Sequence, residues 1–155
     1  MRLARLIYAS RATNPMGAGD MAALLDAASE FNRGIGITGM LAFDQASFLQ
    51  VLEGGAQSVN SLYNRIARDP RHRHLTLLAY GEVVEREFAD WGMVSFDICG
   101  MSASARAVTM RKYRETPWFD PFSMQAGSAL SLLRALNIEV LPACVDSSLE
   151  RDAIA

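Results

Sequence analysis

The sequence has little of what would place a protein in a membrane, on a nucleic acid or outside the cell. Its 155 residues include only two cysteines, and its formal net charge is −2. With no excess of basic residues, it has no general positive field to attract nucleic acid or anionic lipid. Its apolar runs fall short of the roughly 18 residues that a transmembrane helix needs. Cys99 and Cys144 lie far apart, which is typical of reduced thiols, so we expect a cytoplasmic protein.

What is present is the composition of one ordinary globular domain, 50% hydrophobic and 21% charged. Residues 3–9 are apolar but too short and interrupted for a secretion signal, and they predict a first strand. Helical spacing follows from Asp20, an N-cap candidate, to Asn32, with Gly34 as the cap at the end. A second helix, about residues 57–67, is stopped by Asp69 and Pro70, because the residue before a proline avoids helical dihedral angles.

The hydrophobic periodicity predicts the element order β-α-β-β-α-β-β, a ferredoxin-like α+β arrangement with one added strand. In the third strand both faces are apolar, so both faces of the sheet need cover. The two helices of this order cover one face, and two further helices after Gly100 are expected to cover the other. The predicted strands are 3–9, 37–43, 47–53, 75–84 and 91–98, and the predicted helices are 20–32, 57–67, 102–114 and 123–136. We therefore divide the chain into a core of residues 1–99, a helical extension of 100–142 and a flexible tail of 143–155.

A glycine motif after the first helix matches the pattern of a dinucleotide-binding loop. Gly34, Gly36 and Gly39 fit G-x-G-x-x-G. In that fingerprint a strand precedes the glycines and a helix follows, so that a pyrophosphate meets the helix N-terminus. Here a helix precedes and a strand follows, which favours a helix C-cap and then a glycine that allows close approach in a strand.

The segment RHRH at residues 71–74 is interpreted as a basic turn. His72 and His74 have no Cys or acidic cluster nearby at metal-ligand spacing, so we expect solvated residues and no metal site. Arg71 and Arg73 either bind a phosphate bidentately or form a solvated charged stretch, and both interpretations stay open.

Nothing in the sequence indicates hydrolysis or group transfer. Ser10 and Ser47 have no histidine nearby in sequence to act as a base, although a spatial neighbour is not excluded. Glu53 is expected on the strand face opposite Gln50, so a catalytic carboxylate pair has little support.

Three polar residues are predicted to face one apolar slot: Tyr8 on strand one, Asn32 on helix one and Gln50 on strand three. Each has an ordinary alternative: a core tyrosine, a helix-end asparagine bonded to its own backbone, and a glutamine bonded to neighbouring backbone. Together they are typical of the few polar groups that orient a flat, heteroatom-rich ligand in an apolar pocket. Leu24 and Ile66, one on each helix, would hold its two faces.

These residues in this order resemble the BLUF family of blue-light sensors that use flavin. The resemblance covers about residues 3–98. It rests on the motifs LIYAS, FN, GITGML, FLQVLEG, DPRH and FADWGM, which contain Tyr8, Ser10, Asn32, Gln50, Arg71, Trp91 and Met93. The residues after Gly100, including DPFSMQAGSAL, resemble more weakly the short, stand-alone members that carry two C-terminal helices.

The resemblance implies a flavin between the first two helices, FAD or alternatively FMN or riboflavin. The polar edge of the flavin would meet Asn32 and Gln50, Tyr8 would bond to Gln50, and Arg71 would help to hold a phosphate. The cofactor-binding residues that it implies are Tyr8, Ser10, Leu24, Asn32, Gln50, Ile66 and Arg71.

The resemblance also implies a photocycle without net turnover, so we expect a photoreceptor and not an enzyme. Light would make the flavin a strong oxidant, Tyr8 would give up an electron and then a proton, and the Gln50 amide would rotate or tautomerise. Trp91 and Met93, which share a face of strand five, would then exchange places and shift that strand against the C-terminal helices. Trp91 would also compete with Tyr8 as an electron donor.

With no output domain in view, the expected partners are other copies of the chain and a separate effector protein. The effector would be a cyclic-di-nucleotide phosphodiesterase or a response-regulator-like protein. The alternative function is a ferredoxin-like regulatory module that binds a colourless small ligand. A small enzyme is the third hypothesis, and the sequence offers no nucleophile–base pair for it.

Overall fold

The computed structural model describes residues 1–89, 92–113 and 117–138. The strands are β1 (Leu3–Ala12), β2 (Thr38–Phe43), β3 (Ser47–Gly55), β4 (His72–Glu82) and β5 (Met93–Asp97). The helices are α1 (Ala18–Gly34), α2 (Ala56–Ala67), α3 (Ala103–Tyr113) and α4 (126–138), with short 3-10 turns at Ile98–Gly100 and Pro121–Ser123. Within these ranges, no helix is both long and apolar enough to cross a membrane.

The five strands form one sheet in the order β4-β1-β3-β2-β5. β2 and β5 run parallel, and the other neighbours are antiparallel. This topology confirms the predicted ferredoxin-like α+β fold with an added strand. In the central strand, β3, all residues from Ser47 to Gly54 are buried, because helices cover both faces of the sheet.

The two faces of the sheet have separate apolar clusters. The face that carries Tyr8 packs against α1 and α2, with Met21 and Val59 among the buried residues. The opposite face carries Ile7, Leu49 and Val51 and packs against the C-terminal helices through these buried residues: Met110, Ala129, Leu132, Leu133 and Leu136. The expectation that the residues after Gly100 cover the second face is thereby confirmed.

The leucines of α4 are buried on the chain's own sheet. Self-association with other copies of the chain was predicted from the sequence. Because Leu132, Leu133 and Leu136 are each 0% exposed without a second chain, their burial gives no argument for self-association. The oligomeric state stays a prediction, and the predicted tail of residues 143–155 lies outside the described residues.

Both predicted caps of α1 were wrong. The helix begins at Ala18, and Asp20 lies in its first turn, where a carboxylate meets the positive end of the helix dipole. Gly34 is the last helical residue, and the left-handed conformation belongs to Gly36, with φ of 71°. The close-approach glycine was predicted correctly, because a Cβ atom on Gly39 would lie 2.0 Å from the Val51 carbonyl oxygen.

The basic turn predicted at 71–74 was also wrong, because β4 begins at His72. The pairing of β4 with β1 shifts register between Ala9 and Arg11, and His74 in this stretch has φ of 52°. An extra residue with positive φ is a common way to form a β-bulge. The bulge lets β4 start beside the end of β1, which brings His72 to the sheet surface that α1 and α2 cover.

Candidate functional site

A cavity of about 390 Å³ opens between α1, α2 and one face of the sheet. This volume lies in the range of small-molecule and cofactor pockets. The predicted site residues that line it are Tyr8, Leu24, Asn32, Gln50, Ile66, Arg71 and Met93. The polar lining residues that sequence reasoning did not assign to the site are Arg65, Asp69 and His72.

At the floor of the cavity, three side chains form a hydrogen-bonded row. The Tyr8 hydroxyl donates to Gln50 Oε1, and Gln50 Nε2 donates to Met93 Sδ at 3.1 Å. The antiparallel register of β1 and β3 places Tyr8 directly opposite Gln50, so both side chains project from the same face. The amide still has one N–H and one lone pair for a further partner.

Tyr8 is 1% exposed, and its ring meets Tyr63 edge-on with the ring centroids 5.7 Å apart. Burial raises the pKa of Tyr8 well above its usual value of 10, and the nearby Tyr63 and Asp69 raise it further. The phenol therefore keeps its proton in the resting protein and acts as the hydrogen-bond donor to Gln50.

Asn32 is 4% exposed and lines the same cavity. Its backbone carbonyl accepts from Ile37 N at 2.8 Å, but its side-chain amide bonds to no residue in the described ranges. The alternative of a helix-end asparagine bonded to its own backbone is therefore wrong. A buried amide without a partner costs about 1–3 kcal/mol, so this group fits a ligand that supplies the missing bonds.

Asp69 and Arg71 form one end of the cavity. Arg71 Nε donates to the two carboxylate oxygens of Asp69 at 2.9 and 3.0 Å, and these hydrogen bonds hold the pKa of Asp69 at about 2. Residues 69–71 are bonded to the residue that follows β1, since Thr13 N donates to the Arg71 carbonyl at 3.0 Å. Arg71 therefore belongs to a partly exposed ion pair with Asp69 beside the cavity, an arrangement that neither sequence interpretation included.

Ser10 does not line the cavity. Its hydroxyl lies 2.8 Å from His72 Nδ1, and the His72 ring packs on Phe48 with centroids 5.1 Å apart. Burial lowers the pKa of His72, so the neutral imidazole is favoured. The prediction that His72 is a solvated turn residue was wrong, and Ser10 reaches the site through this ring. Because Ser10 is 0% exposed, the pair has no access to attack a substrate in the cavity.

Two further predictions concern the edge of the site. Met93 is buried at the start of β5, and Trp91 lies outside the described residues. In the part of the chain that the structure describes, no group of three His, Cys, Asp or Glu residues is placed to hold a metal ion.

The residues present fit a flavin. Leu24 on α1 and Ile66 on α2 give the cavity aliphatic walls that suit a flat ring system. The amides of Asn32 and Gln50 offer donors and acceptors to a ring edge that carries carbonyl and N–H groups.

Comparisons with known proteins agree with this fit. A family model described as sensors of blue light using FAD matches residues 3–94. The beta subunit of the photoactivated adenylate cyclase of Euglena gracilis is 37% identical over 93 residues, which are 59% of this chain and 11% of that subunit. This chain spans about a tenth of the length of the Euglena cyclase subunits that it matches.

Two solved structures extend the comparison. The photo-activated state of BlsA has a TM-score of 0.75 and 26% identity, covering 86% of this chain and 94% of BlsA. Klebsiella pneumoniae BlrP1 with FMN and cyclic diGMP has a TM-score of 0.60 and 36% identity, covering 66% of this chain and 27% of BlrP1. The family match over most of the chain confirms the resemblance drawn from the motifs and identifies FAD as the cofactor. The chain belongs to the BLUF family of blue-light sensors.

Proposed function

We propose that this chain is a blue-light photoreceptor in which Tyr8 and Gln50 form the switch and Met93 carries the change to β5. The observation that supports this is the hydrogen-bonded row from Tyr8 through Gln50 to Met93 on the cavity floor. Bound FAD supplies the absorption of blue light and an excited state able to take up one electron. The protein supplies the donor, the rearranging amide and the burial of both side chains.

Tyr8 gives up the electron and then its proton. The hydroxyl already points at Gln50 Oε1, so the proton has an acceptor in place and no water is needed. When the electron and the proton return, the tyrosine is restored and no product leaves. The Gln50 amide retains a changed hydrogen-bond pattern, by rotation or by tautomerisation.

Rotation of the amide would have a direct consequence for β5. It would turn Gln50 Oε1 toward Met93 Sδ, and a thioether has no hydrogen to donate. The contact of 3.1 Å between Gln50 Nε2 and Met93 Sδ would then be lost. Met93 thereby becomes the first residue outside the photoactive pair to sense the light state, and its exchange with Trp91 remains part of the proposal.

The next residues of β5 connect this change to the C-terminal helices. Val94 and Phe96 pack against the cluster on the opposite sheet face, which contains Leu132 and Leu136 of α4. Since successive strand residues alternate between faces, a displacement of Met93 would also move the side chains that pack against this cluster. β5 is therefore the proposed route from the cavity to the outer surface of the helices.

The output is proposed to pass to another protein, with no enzymatic activity in this chain. Relatives include photoactivated adenylate cyclases, and a BlrP1 structure contains cyclic diGMP. By analogy, the effector is a cyclic-di-nucleotide phosphodiesterase or a response-regulator-like protein, and the receptor self-associates in the cytoplasm. A pull-down compared in darkness and in light tests the effector, and light scattering tests self-association.

The switch is tested by absorption spectroscopy on the purified full chain loaded with FAD. Blue light should shift the flavin bands reversibly to the red. Gln50→Leu and Tyr8→Phe should keep the flavin and lose the shift, because each removes one end of the Tyr8–Gln50 bond.

Tyr63→Phe is the matched control. Tyr63 touches the Tyr8 ring but makes no bond to Gln50, so its variant should retain the shift. An intact photocycle in either switch variant would remove that residue from the mechanism. A protein that takes up no flavin would contradict the proposed function and favour the binding of a colourless ligand.

A further inference from the structure

The buried carboxylate of Glu53, on the face of β3 opposite Gln50, has no part in the proposed photocycle. Glu53 on β3 is 0% exposed and lies three residues after Gln50, on the opposite face. Its Oε1 accepts from Arg5 Nε at 2.7 Å, and its Oε2 accepts from the backbone N–H groups of Glu87 and Phe88 at 2.8 and 3.0 Å. A buried charge is tolerated only when it is fully paired, as here.

The backbone amides that Glu53 binds belong to the connecting segment, which we define as residues 83–89 between β4 and β5. Arg86 also attaches the same segment. Its guanidinium donates to Thr38 Oγ1 and the Glu53 carbonyl, both at 2.8 Å, and to the Gly36 carbonyl at 2.7 Å. The connecting segment is thus attached to β2 and β3 at three consecutive residues, 86 to 88.

This attachment lies shortly before Met93 in the chain. Phe88 is buried in the core, and Gly39 N on β2 donates to the Gly92 carbonyl at 2.7 Å. Met93 pairs with Gly39 on β2, and the attached residues 86 to 88 lie five to seven positions before it in the chain.

The connecting segment also reaches α4. The Glu87 carboxylate pairs with Arg5 at 2.7 Å and with the Arg134 guanidinium, whose NH2 group lies 2.7 Å from Glu87 Oε1. The Arg134 hydrogen bond holds the pKa of the Glu87 carboxyl below its usual value, so the pair stays ionised. One charged cluster (Arg5, Glu53, Glu87 and Arg134) thus joins two strands, the connecting segment and α4.

We propose that Glu53 is a positioning residue of the light switch. Its carboxylate fixes the connecting segment and so places Met93 against Gln50, and Glu87 with Arg134 ties α4 to the same segment. The role of Met93 in this inference rests on the proposed function, whereas the anchoring of the segment is a property of the dark protein by itself.

The test is Glu53→Gln in the full chain, measured in darkness with and without FAD. A glutamine has one acceptor oxygen, so its NH2 group must face either Arg5 Nε or the two backbone N–H donors, and no negative charge remains to hold them. Amide hydrogen exchange at Glu87 and Phe88 should accelerate about tenfold or more, since a hydrogen bond to a charged group is lost. The methyl resonance of Met93, observed with ¹³C-labelled methionine, should move. In the FAD-loaded protein, the rate of dark recovery should change.

Two variants serve as controls. Glu82→Gln changes an exposed glutamate that pairs with Arg2 at 2.9 Å, and it should alter none of these readouts. Arg134→Met should leave hydrogen exchange at Glu87 and Phe88 and the Met93 resonance unchanged, while amide hydrogen exchange in α4 accelerates. Arg134→Lys should return the exchange rate in α4 to that of the parent protein. If Glu53→Gln fails to fold, Glu53→Asp keeps the charge beside Arg5 but is one methylene too short to reach both amides.

Unchanged exchange at residues 87 and 88 together with an unmoved Met93 resonance in the Glu53 variant would overturn the proposal. A wild-type protein that lacks the red shift would instead contradict the proposed photoreceptor, and the exchange result would still decide the role of Glu53. The two failures are therefore distinguishable.

Discussion

Asn32 and Gln50 carry the same amide group on the same cavity, yet the protein uses them differently. Gln50 bonds to Tyr8 and Met93, whereas the Asn32 side chain bonds to nothing in the described ranges. An amide already held by the protein is suited to switch between partners. A buried amide left without a partner is suited to bind a ligand.

Asn32→Leu should therefore stabilise the flavin-free protein by about 1 kcal/mol or more, because it removes a buried amide that has no partner. The same change should weaken FAD binding about tenfold or more, since ~1.4 kcal/mol of lost interaction is a factor of ten. Urea unfolding without flavin and a fluorescence titration with FAD measure the two effects.

Gln50→Leu is the comparison for this prediction. It leaves the buried Tyr8 hydroxyl without its acceptor, so it should not stabilise the flavin-free protein. If Asn32→Leu destabilises the protein as much as Gln50→Leu does, Asn32 has a structural role and the interpretation is wrong.

At the residue scale, sequence pattern predicted some site residues and not others. Tyr8, Asn32 and Gln50 could be found because each interrupts an apolar pattern of known period. The bond of Ser10 to His72 and the bond of Arg5 to Glu53 could not, because these partners lie 62 and 48 residues apart. Such pairs depend on strand register, which no local pattern specifies.

Among the elements, β2 contains the glycine with the shortest distance from an added Cβ to another atom, Gly39. Gly39 faces β3 so closely that an added Cβ would meet the Val51 carbonyl oxygen at 2.0 Å and Met93 Cε at 3.2 Å. The first contact is with backbone in the middle of the sheet, and a shift of that backbone would cost free energy. The second is with the side chain that touches Gln50.

Gly39→Ala should therefore lower the free energy of unfolding by at least about 2 kcal/mol, because overpacking at a fixed backbone is costly. Gly81→Ala, on β4, meets nothing within 4 Å and should stay within about 0.5 kcal/mol of the parent protein. Urea denaturation of the three proteins measures this. Equal effects of the two alanines would show that the close approach at Gly39 does not limit β2.

The order and type of the elements were predicted correctly, and the errors lie at their ends. The N-cap of α1 is Gly17, which makes no side-chain cap bond, so the usual signal for a helix start is missing there. β4 starts earlier than predicted because a bulge at His74 lets charged residues continue the strand.

For the molecule as a whole, the C-terminal helices complete the fold as well as carry the proposed output. The family match ends at residue 94, but the structural match with BlsA covers 86% of this chain. The similarity therefore continues into the helical extension. Without α3 and α4, the apolar face that carries Ile7, Leu49 and Val51 would be open to water. A light-driven change transmitted to α4 therefore acts on a helix that is part of the core.

The stability of the whole chain should depend on pH through His72. Burial holds the pKa of the His72 imidazole below its usual value of 6.5, against a smaller opposing effect of Asp69. Below about pH 6.5 the unfolded chain takes up a proton at this residue that the folded chain does not. The free energy of unfolding should therefore be constant above this pH and fall as the pH is lowered toward 5.

Urea midpoints measured from pH 8 to pH 5 test this dependence, and His72→Gln should make the decline shallower. His74→Asn is the control, since asparagine tolerates the φ of 52° at that position, and it should retain the parent slope. Asp69 does not contribute to this pH dependence, because Arg71 holds the pKa of its carboxyl at about 2, far below the measured range of pH 5 to pH 8. An unaltered slope in His72→Gln would show that another group controls the acid sensitivity, and that burial of the His72 ring does not cause it.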